Sequence, residues 1–533
     1  MSNFSIRFAV VAMGCAVLAS CAGLQSPMGL FTPSLPGAIK DHVEVLASDR
    51  IQGRATGSQG YAMSATYVAD FFDKAGIAPG APDYRQDVPL YAVNPSKVTG
   101  TLRLQGLERE EGEDVAFFPP LTNLGGDQTQ DTQGAVVFVG HGIVAPELGL
   151  NAYKGVDVRG RIVLMLSGAP EMDDQAVQEH LKRLDTKRME AGRQGAIGLL
   201  YADPDLDNVN RLARLRRSHL SGALVVEVPL QEALPVAAVS DSVVRELIEA
   251  AGRDKDEVID AAQAGTGESF TTGVQAELIT RAEARPVKSF NVVGIIPGTD
   301  ASLQDEAVVV TAHLDHLGTR DLGDDRDGIY NGALDNAAGV AIVMEAAKQL
   351  ATEGGARRTL IFAALTAEEA GLLGSLHLAA SLEGMGYTPV ANINIDMPVL
   401  TYPLNDVIGF GAEHSSLKRP LDEAAAEVGL VATPDPLPEL SLFVRSDHYR
   451  FVQRGVPSVF LFNGMAGEGR EAFQAFMRNH YHKPSDQVDL PINWSDAATF
   501  TELSVGLIRR VADAETAPTW NEGSPFDLKN PKD

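Results

Sequence analysis

Cysteine is almost absent from this chain of 533 residues, in which only Cys15 and Cys21 occur. An apolar run from Phe8 to Ala19 resembles the core of a signal peptide, and cleavage of such a segment removes Cys15. The mature monomer then forms no disulfide. Thiolate metal ligation and cysteine catalysis are excluded as well, so an exported chain of this size must depend on hydrophobic cores and bound metals for its stability.

The same apolar run is too short for a transmembrane helix. It ends in Leu18-Ala19-Ser20-Cys21, which resembles the bacterial lipoprotein signal. We therefore expect Cys21 to be lipidated and to become the mature N-terminus, with an ordinary secretory signal cleaved nearby as the alternative. The predicted location is outside the cytoplasm, at the periplasm or cell surface, with a lipid anchor in a membrane.

Basic residues are also few, since 44 Lys and Arg stand against 71 Asp and Glu and give a net charge of -27. Such an acidic chain is a poor candidate for electrostatic binding of nucleic acid or of an anionic membrane surface. Three catalytic signatures are missing too, namely a His-Glu-x-x-His helix, a Gly-x-Ser-x-Gly elbow and a phosphate-binding Gly-x-x-x-x-Gly-Lys loop.

Residue types that bind divalent metals are present in the C-terminal half. In chain order they are His313, Asp335, Glu368, Glu369, Asp396 and His482. Two Zn²⁺ ions bound by three of these carboxylates and two neutral imidazoles keep one uncancelled positive charge, which is enough to hold a hydroxide between them. One carboxylate, that of Glu368, is then free to transfer protons.

Several of these positions close or follow a short apolar run. The runs are 307–312 before His313, 359–365 before the pair Glu368-Glu369, and 390–395 before Asp396. Such runs are typical of parallel strands with helices on both faces, and ligand sites in these sheets lie beyond the strand carboxyl ends. The sequence therefore predicts an α/β fold with a mostly parallel central sheet, flanked by helices, and candidate ligands at one edge.

Local spacing suggests further roles. In an extended segment His313 and Asp315 point to the same side, so Asp315 is expected to support catalysis by orienting the imidazole of His313. His316 faces the opposite way, which argues against a direct role. Asp335 begins a predicted helix over 335–347, where an N-capping carboxylate could also bridge two metals.

A second pair of histidines leaves an alternative open. His480 and His482 flank Tyr481, and strand alternation lets both imidazoles face one way. Spacing alone therefore does not decide which of the two would bind a metal.

Many segments together resemble the co-catalytic di-zinc aminopeptidases, the family that includes aminopeptidase Y and the glutamate carboxypeptidase type. The matching segments are 289–294, 313–316, 331–339, 368–375, 394–397, 445–448 and 481–486, with 46–49 and 53–58 upstream. The resemblance implies one zinc on His313 and Asp396, a second on Glu369 and His482, Asp335 bridging both, and Glu368 as general base. It also implies that a loop with Asp447, His448 and Tyr449 borders the substrate pocket.

A long stretch between the upstream motif and residue 289 contains none of these candidate ligands. Its strand candidates are 135–140, 162–166 and 196–200, and its helical stretch is 178–194. Segment 153–162 resembles the protease-associated domain inserted in some members of the family. The expected division is signal peptide 1–21, linker 22–37, peptidase segment 38–95, inserted β-rich protease-associated domain 96–284, main peptidase segment 285–515 and tail 516–533.

Together these features predict a two-zinc exopeptidase that hydrolyses peptide bonds with a metal-bridging hydroxide and with Glu368 as general base. Its expected substrates are peptides, from which it releases N-terminal residues. A carboxypeptidase or dipeptidase of the same family is the alternative enzyme, distinguished by whether the pocket captures a free amine or a free carboxylate. An inactive, receptor-like binding protein is the alternative from another class, and the presence of Glu368 with all five ligands argues against it.

Overall fold

The computed structural model describes residues 34–126, 128–204, 212, 224–229, 232–323 and 326–528. The predicted signal peptide, its lipidation site Cys21 and most of the predicted linker lie outside these residues. Within the described part of the chain, no helix combines the length and the apolar character needed to cross a membrane.

The strands and helices are numbered in chain order within these residues. The strands are β1 (Ala78–Pro79), β2 (Arg85–Val93), β3 (Thr99–Leu104), β4 (Leu107–Arg109), β5 (Val115–Phe117), β6 (Thr129–Phe138), β7 (Val144–Ala145), β8 (Leu150–Asn151), β9 (Ile162–Leu166), β10 (Gly198–Ala202), β11 (Leu224–Val226), β12 (Val236–Val239), β13 (Phe270–Arg281), β14 (Ala284–Ile296), β15 (Glu306–His313), β16 (Gly318–Thr319), β17 (Ile329–Tyr330), β18 (Thr359–Leu365), β19 (Thr388–Ile395), β20 (Val407–Phe410), β21 (Ala432–Thr433) and β22 (Ser458–Asn463). The helices are α1 (Leu35–Leu46), α2 (Gln59–Lys74), α3 (Gln175–Lys182), α4 (Leu184–Arg193), α5 (Asp241–Glu249), α6 (Lys255–Gln263), α7 (Ala338–Thr352), α8 (Leu373–Ser381), α9 (Lys418–Glu427), α10 (His448–Val452), α11 (Gly469–Asn479) and α12 (Trp494–Asp513).

The larger sheet has ten strands in the order β11-β2-β14-β18-β15-β19-β22-β20-β21, with β1 paired to β14 off this path. Its centre, β18-β15-β19-β22, is parallel throughout. The predicted α/β class is confirmed, and the predicted apolar runs coincide with β15, β18 and β19. Outside this centre β11, β2, β14 and β20 pair antiparallel with their inner neighbours, so the sheet as a whole is mixed.

Helices cover both faces of this central sheet. Side chains of β15 alternate, so that Val308 and Val310 join the core beneath α1, α7 and α12, whereas Val309 joins the core beneath α8 and α10. Burial on both faces explains why the central strands read as continuous apolar runs in the sequence.

A second sheet of eight strands forms from residues 99–281, in the order β4-β3-β13-β6-β9-β10-β12-β5. It also contains four consecutive parallel strands, β6-β9-β10-β12. The predicted helical stretch 178–194 is two helices, α3 and α4, separated by Arg183 in an extended conformation. β11 pairs instead with β2 at the edge of the central sheet. That this region is a protease-associated domain, and the division of the chain into domains, stay predictions.

Candidate metal centre

Two candidate ligands come together because their strands are neighbours. β15 ends at His313, and Asp396 directly follows the adjacent parallel strand β19. The imidazole Nε2 of His313 lies 3.0 Å from Asp396 Oδ1 and 3.3 Å from Asp335 Oδ1. All three side chains are buried, so the carboxyl edge of the sheet gathers two carboxylates around one imidazole.

Asp335 reaches this cluster from the turn 333–337 that precedes α7. The prediction that Asp335 caps this helix is wrong, because the helix begins at Ala338 and the side chain that binds its first turn is that of Asn336. Its Oδ1 accepts hydrogen bonds from the backbone N–H groups of Gly339 and Met397, both at 3.1 Å, and its amide donates to the carbonyl of Ile395 at 3.0 Å. The carboxylate of Asp335 is therefore free to face the cluster.

The second oxygen of Asp335 faces another pair of side chains. His482 Nε2 lies 3.3 Å from Asp335 Oδ2 and 3.1 Å from Glu369 Oε2. One carboxylate thus has an oxygen in the group of His313 and Asp396 and another in the group of His482 and Glu369. An arrangement of this kind would let one residue contact two cations.

The structure separates the two histidines that spacing left equivalent. His480 is turned away, with its Nδ1 3.1 Å from the carbonyl oxygen of Ser485 and 3.0 Å from the Ser485 hydroxyl. His482 adopts a positive φ of 56°. This backbone conformation is costly for a side chain larger than glycine and is concentrated at functional sites.

His316 lies in the second group, although its spacing argued against a direct role. Its Nδ1 is 2.6 Å from Glu369 Oε1 and 3.8 Å from Asp335 Oδ2. Strand alternation does not apply at this position because β15 ends at His313. The sequence offered a signal in the repeated histidine of His313-Leu314-Asp315-His316, which extrapolation of the strand obscured.

Asp315 also acts differently from the prediction. The ring of His313 is held through the backbone carbonyl of Asp315, 3.0 Å from Nδ1, and not through its carboxylate. The carboxylate instead accepts a hydrogen bond from the backbone N–H of Glu368 at 3.1 Å and another from the Thr56 hydroxyl at 3.0 Å. Asp315 therefore positions the turn of Glu368, and the upstream motif contributes Thr56 to that support.

The turn after β18 presents Glu368 and Glu369 side by side. Ala367 has a positive φ of 55°, which redirects the chain as it leaves the strand. The carbonyl of Glu368 accepts hydrogen bonds from the N–H groups of Gly371 at 2.8 Å and Leu372 at 2.9 Å. Glu368 lines the same cavity as His313, Asp335, Asp396 and His482.

Residues 291–508 match the model of peptidase family M28, a range that includes every candidate ligand. This part of the chain is similar to the peptidases of that family. The chain is 28% identical to a probable zinc metalloprotease of Pyricularia oryzae over 46% of its own length and 52% of that relative, so it spans about half of the fungal protein. It is 25% identical to the probable lipoprotein aminopeptidase LpqL of Mycobacterium tuberculosis, over 82% of this chain and 76% of that protein. The solved zinc aminopeptidase BSAP of Bacillus subtilis is 18% identical, with coverage of 94% of this chain and 99% of its own and a TM-score of 0.44.

The candidate metal centre has a strongly negative electrostatic environment. Burial alone would lower the pKa of His482, yet the carboxylates of Asp335 and Glu369 raise it to about 10. Burial opposes the shift at His313 too, but the charges of Asp396 and its other acidic neighbours raise its pKa well above the ordinary value. Surroundings that favour protonated imidazoles so strongly also favour a divalent cation.

Two observations show that these residues fit bound zinc. The ligand atoms of His313, Asp335 and Asp396 lie within 4.8 Å of one another, and so do those of His316, Asp335 and Glu369. The buried Oδ2 atom of Asp335 makes no hydrogen bond, although imidazole nitrogens lie 3.3 and 3.8 Å away, and a bound cation would remedy this. Carboxylate oxygens and imidazole nitrogens are ligands that zinc prefers.

The cavity of the candidate metal centre is mainly apolar beyond these ligands. Its other lining residues are Met397, Leu442, Arg445, Ser446, Phe460, Phe462, Phe473, Met477 and Tyr481. Asp447, His448 and Tyr449, which the resemblance placed at the pocket, are fully buried and do not line it. The chain enters α10 here, so the side chains that reach the cavity are those of Arg445 and Ser446.

Proposed function

We propose that this chain is a zinc metallopeptidase that binds two Zn²⁺ ions and releases N-terminal residues from peptides. The observation that carries the proposal is the orientation of Asp335, whose two carboxylate oxygens face different imidazole–carboxylate pairs. The family match and the names of the relatives, a zinc metalloprotease and an aminopeptidase, support the same reaction class.

The proposed ligands are distributed between the two ions. They are His313 and Asp396 for one zinc, Glu369 and His482 for the other, and Asp335 for both. Bound zinc would polarise the scissile carbonyl and lower the pKa of a water molecule toward ~7. The remaining chemistry falls to the side chains around the substrate.

Glu368 is the proposed general base. Burial raises the pKa of its carboxyl well above the ordinary value, and the negative charges of Asp396 and Glu369 act in the same direction. A base whose pKa is raised in this way accepts a proton from water and can return it to the departing amine near neutral pH. The chain itself forms no covalent bond with the substrate in this scheme.

The apolar wall determines the proposed substrate preference. Phe460, Phe462, Phe473 and Met477 surround a space beside the candidate ligands. Burying an apolar side chain there stabilises binding by ~25 cal/mol for each Å² removed from water. We therefore expect peptides with an apolar N-terminal residue to be preferred.

Arg445 favours a carboxypeptidase or dipeptidase as the second candidate. Its side chain is exposed and lines the cavity. A guanidinium forms bidentate hydrogen bonds with a carboxylate, which is the group that such enzymes must capture. The free end of the peptide recognised by the enzyme decides between the two candidates.

The deciding experiment uses a soluble form without residues 1–21 and three matched peptides, one with free ends, one N-acetylated and one C-amidated. An aminopeptidase cleaves the free and the C-amidated peptides and spares the N-acetylated one. A carboxypeptidase spares the C-amidated peptide instead. Activity should disappear with a chelator and return with Zn²⁺, and absence of any cleavage by zinc-loaded protein would leave the binding-protein alternative.

We also propose that the chain is an exported lipoprotein attached to a membrane through Cys21. The description of the Mycobacterium tuberculosis relative as a lipoprotein supports this location, as does the signal-like sequence around Cys21. Replacing Cys21 with serine should move the full chain from the membrane fraction to the soluble fraction. An unchanged membrane fraction would contradict lipidation at this residue.

A further inference from the structure

Two helices of the second sheet's region, α3 and α4, contact the loop and helix around residues 442–454. The Tyr449 hydroxyl lies 2.9 Å from His180 Nδ1 and 2.9 Å from Thr186 Oγ1. The guanidinium of Arg183 lies over the Tyr449 ring, 5.0 Å from its centroid, and donates to the carbonyl of Val444 at 3.2 Å. This contact therefore reaches the residue next to Arg445, which lines the cavity.

An ion pair lies at the centre of this contact. Asp185 at the start of α4 accepts a 2.6 Å hydrogen bond from Arg450 Nη1 and a bidentate pair from Arg183 at 3.0 and 3.1 Å. The two guanidinium groups keep the pKa of Asp185 well below its ordinary value, although burial opposes the shift. Arg450 itself is buried, so Asp185 is the carboxylate that neutralises it.

Arg450 connects this ion pair to the turn of the proposed general base. Its Nη2 donates to the carbonyl of Gly371 at 2.8 Å. The N–H of Gly371 in turn donates to the carbonyl of Glu368 at 2.8 Å. A continuous series of hydrogen bonds therefore joins Asp185 to the backbone of Glu368.

The loop next to Val444 also reaches a candidate ligand. The Ser446 hydroxyl donates to Asp396 Oδ2 at 2.6 Å and accepts from the side-chain amide of Asn394 at 2.7 Å. Arg183 and Asp185 thus contact segments that hold both Asp396 and Glu368. Groups that fix the orientation of reacting residues affect rate strongly, because misplacement by ~1 Å can lower it about 10²-fold.

We propose that Asp185 is a positioning residue for Glu368, acting through Arg450 and the Gly371 carbonyl. The second sheet's region is then a part of the catalytic framework and not only a neighbour of it. The kinetic effect rests on the proposed peptidase function. The structural claim, that Asp185 stabilises the turn 366–374, does not depend on that function.

The test compares two variants with a matched control in the full chain. Asp185→Asn removes the charge that holds Arg450. Arg450→Lys keeps a cation beside Asp185 but has one nitrogen in place of the two that bind Asp185 and Gly371. The control is Glu232→Gln, which breaks another ion pair between the two regions, with Arg454 at 3.0 Å, and has no hydrogen bond to the turn of Glu368.

We expect Asp185→Asn and Arg450→Lys to lower kcat roughly 10- to 100-fold with KM and bound zinc unchanged. Asp185→Glu should restore most of the rate. Amide hydrogen exchange at residues 366–374 should become faster in the first two variants and stay unchanged in Glu232→Gln. That exchange is measurable in zinc-free protein, so it tests the positioning role even if no peptidase activity exists.

Two results would overturn the proposal. One is unchanged exchange at residues 366–374 in Arg450→Lys. The other is an equal loss of kcat in Glu232→Gln, which would reduce the effect to general loosening between the regions. If Asp185→Asn does not fold, Arg450→Lys and Asp185→Glu carry the test.

Discussion

The two large sheets share one architecture but differ in the chemistry at their edges. Each contains four consecutive parallel strands, β18-β15-β19-β22 in one and β6-β9-β10-β12 in the other. In the central sheet the carboxyl ends lead into His313, the Glu368-Glu369 turn and Asp396. In the second sheet they lead into His141 after β6, Ser167 after β9, Asp203 after β10 and Ser240 after β12.

The second edge has a buried lysine and a buried imidazole in place of a cluster of acids. Lys187 donates from Nζ to the carbonyl of Leu166 at 2.9 Å and also contacts the carbonyl of Gly168. Burial lowers the pKa of His141 to about 4, so its imidazole is neutral. Groups of potential metal ligands are found in the described residues only at the central edge. A parallel sheet therefore provides a position for a site, and the side chains at its edge decide whether one exists.

Removing the shared carboxylate tests this contrast most strongly. In Asp335→Asn we expect loss of tightly bound zinc and a fall in peptidase activity on the order of 10⁵-fold, because both ions lose a ligand. His141→Gln at the second edge should retain zinc and activity. Zinc content after dialysis and hydrolysis of a free-amine peptide provide the measurements, and full zinc content in Asp335→Asn would contradict the bridging role.

A change at Glu368 separates metal binding from proton transfer. Glu368→Gln should keep both zinc ions and lose activity by about 10²- to 10⁴-fold, the range for removal of a general base. Zinc analysis and kcat are measured on the same preparation. Normal turnover in this variant would show that another group accepts the proton.

Ser446 offers a smaller perturbation at the same edge. Its hydroxyl donates to Asp396 Oδ2 at 2.6 Å, so Ser446→Ala should weaken zinc binding by about 10- to 100-fold while the protein stays folded. A competition titration against a chelator measures the affinity. An affinity equal to that of the unmodified protein would indicate that Asp396 needs no such support.

The free energy of unfolding should fall in acid because of groups in the second sheet's region as well as groups in the candidate metal centre. Burial lowers the pKa of His141 to about 4 and of His180 to about 3. In the unfolded chain both histidines have a pKa near ~6.5, so below that pH the unfolded chain binds more protons than the folded one. The contribution of the two neutral imidazoles to the free energy of unfolding is therefore complete above pH ~6.5 and is lost as the pH falls toward the pKa values of the folded protein. Each histidine should contribute a slope of about 1.4 kcal/mol per pH unit in the free energy of unfolding.

Urea unfolding of the unmodified chain and of His141→Gln at several pH values measures the contribution of His141 to this pH dependence. The variant should show a slope lower by about 1.4 kcal/mol per pH unit between pH ~6 and ~4. Because zinc release in acid affects both proteins alike, the difference between them isolates His141. Identical slopes would show that the imidazole is protonated in the folded state.

The central strands were predictable because burial on both faces requires a continuous run of apolar residues in the sequence. Runs 307–312, 359–365 and 390–395 fall within β15, β18 and β19, and parallel pairing then brings their carboxyl ends to one edge. The antiparallel outer strands were not predicted, since their partners are distant in sequence and no local pattern specifies them.

Predictions failed where a local rule was extended beyond its element. Strand alternation was applied to Asp315 and His316, but β15 ends at His313 and the chain then turns. The cap of α7 was assigned to Asp335, whereas Asn336, one residue later, has the geometry to accept from Gly339. Asp447 and its two successors were placed at the pocket from a motif, which gives the position of a loop but not which side chains face inward.

The pairing of β11 with β2 bears on attempts to engineer a minimal enzyme. Excision of residues 96–284 as a block would also take away β11, the outermost strand on that side of the larger sheet. β2 would then present an uncovered row of backbone donors and acceptors, which invites strand-to-strand aggregation. To remain in solution, a shortened version would have to keep residues 224–226 or carry proline or lysine substitutions in β2 that prevent pairing at its exposed edge.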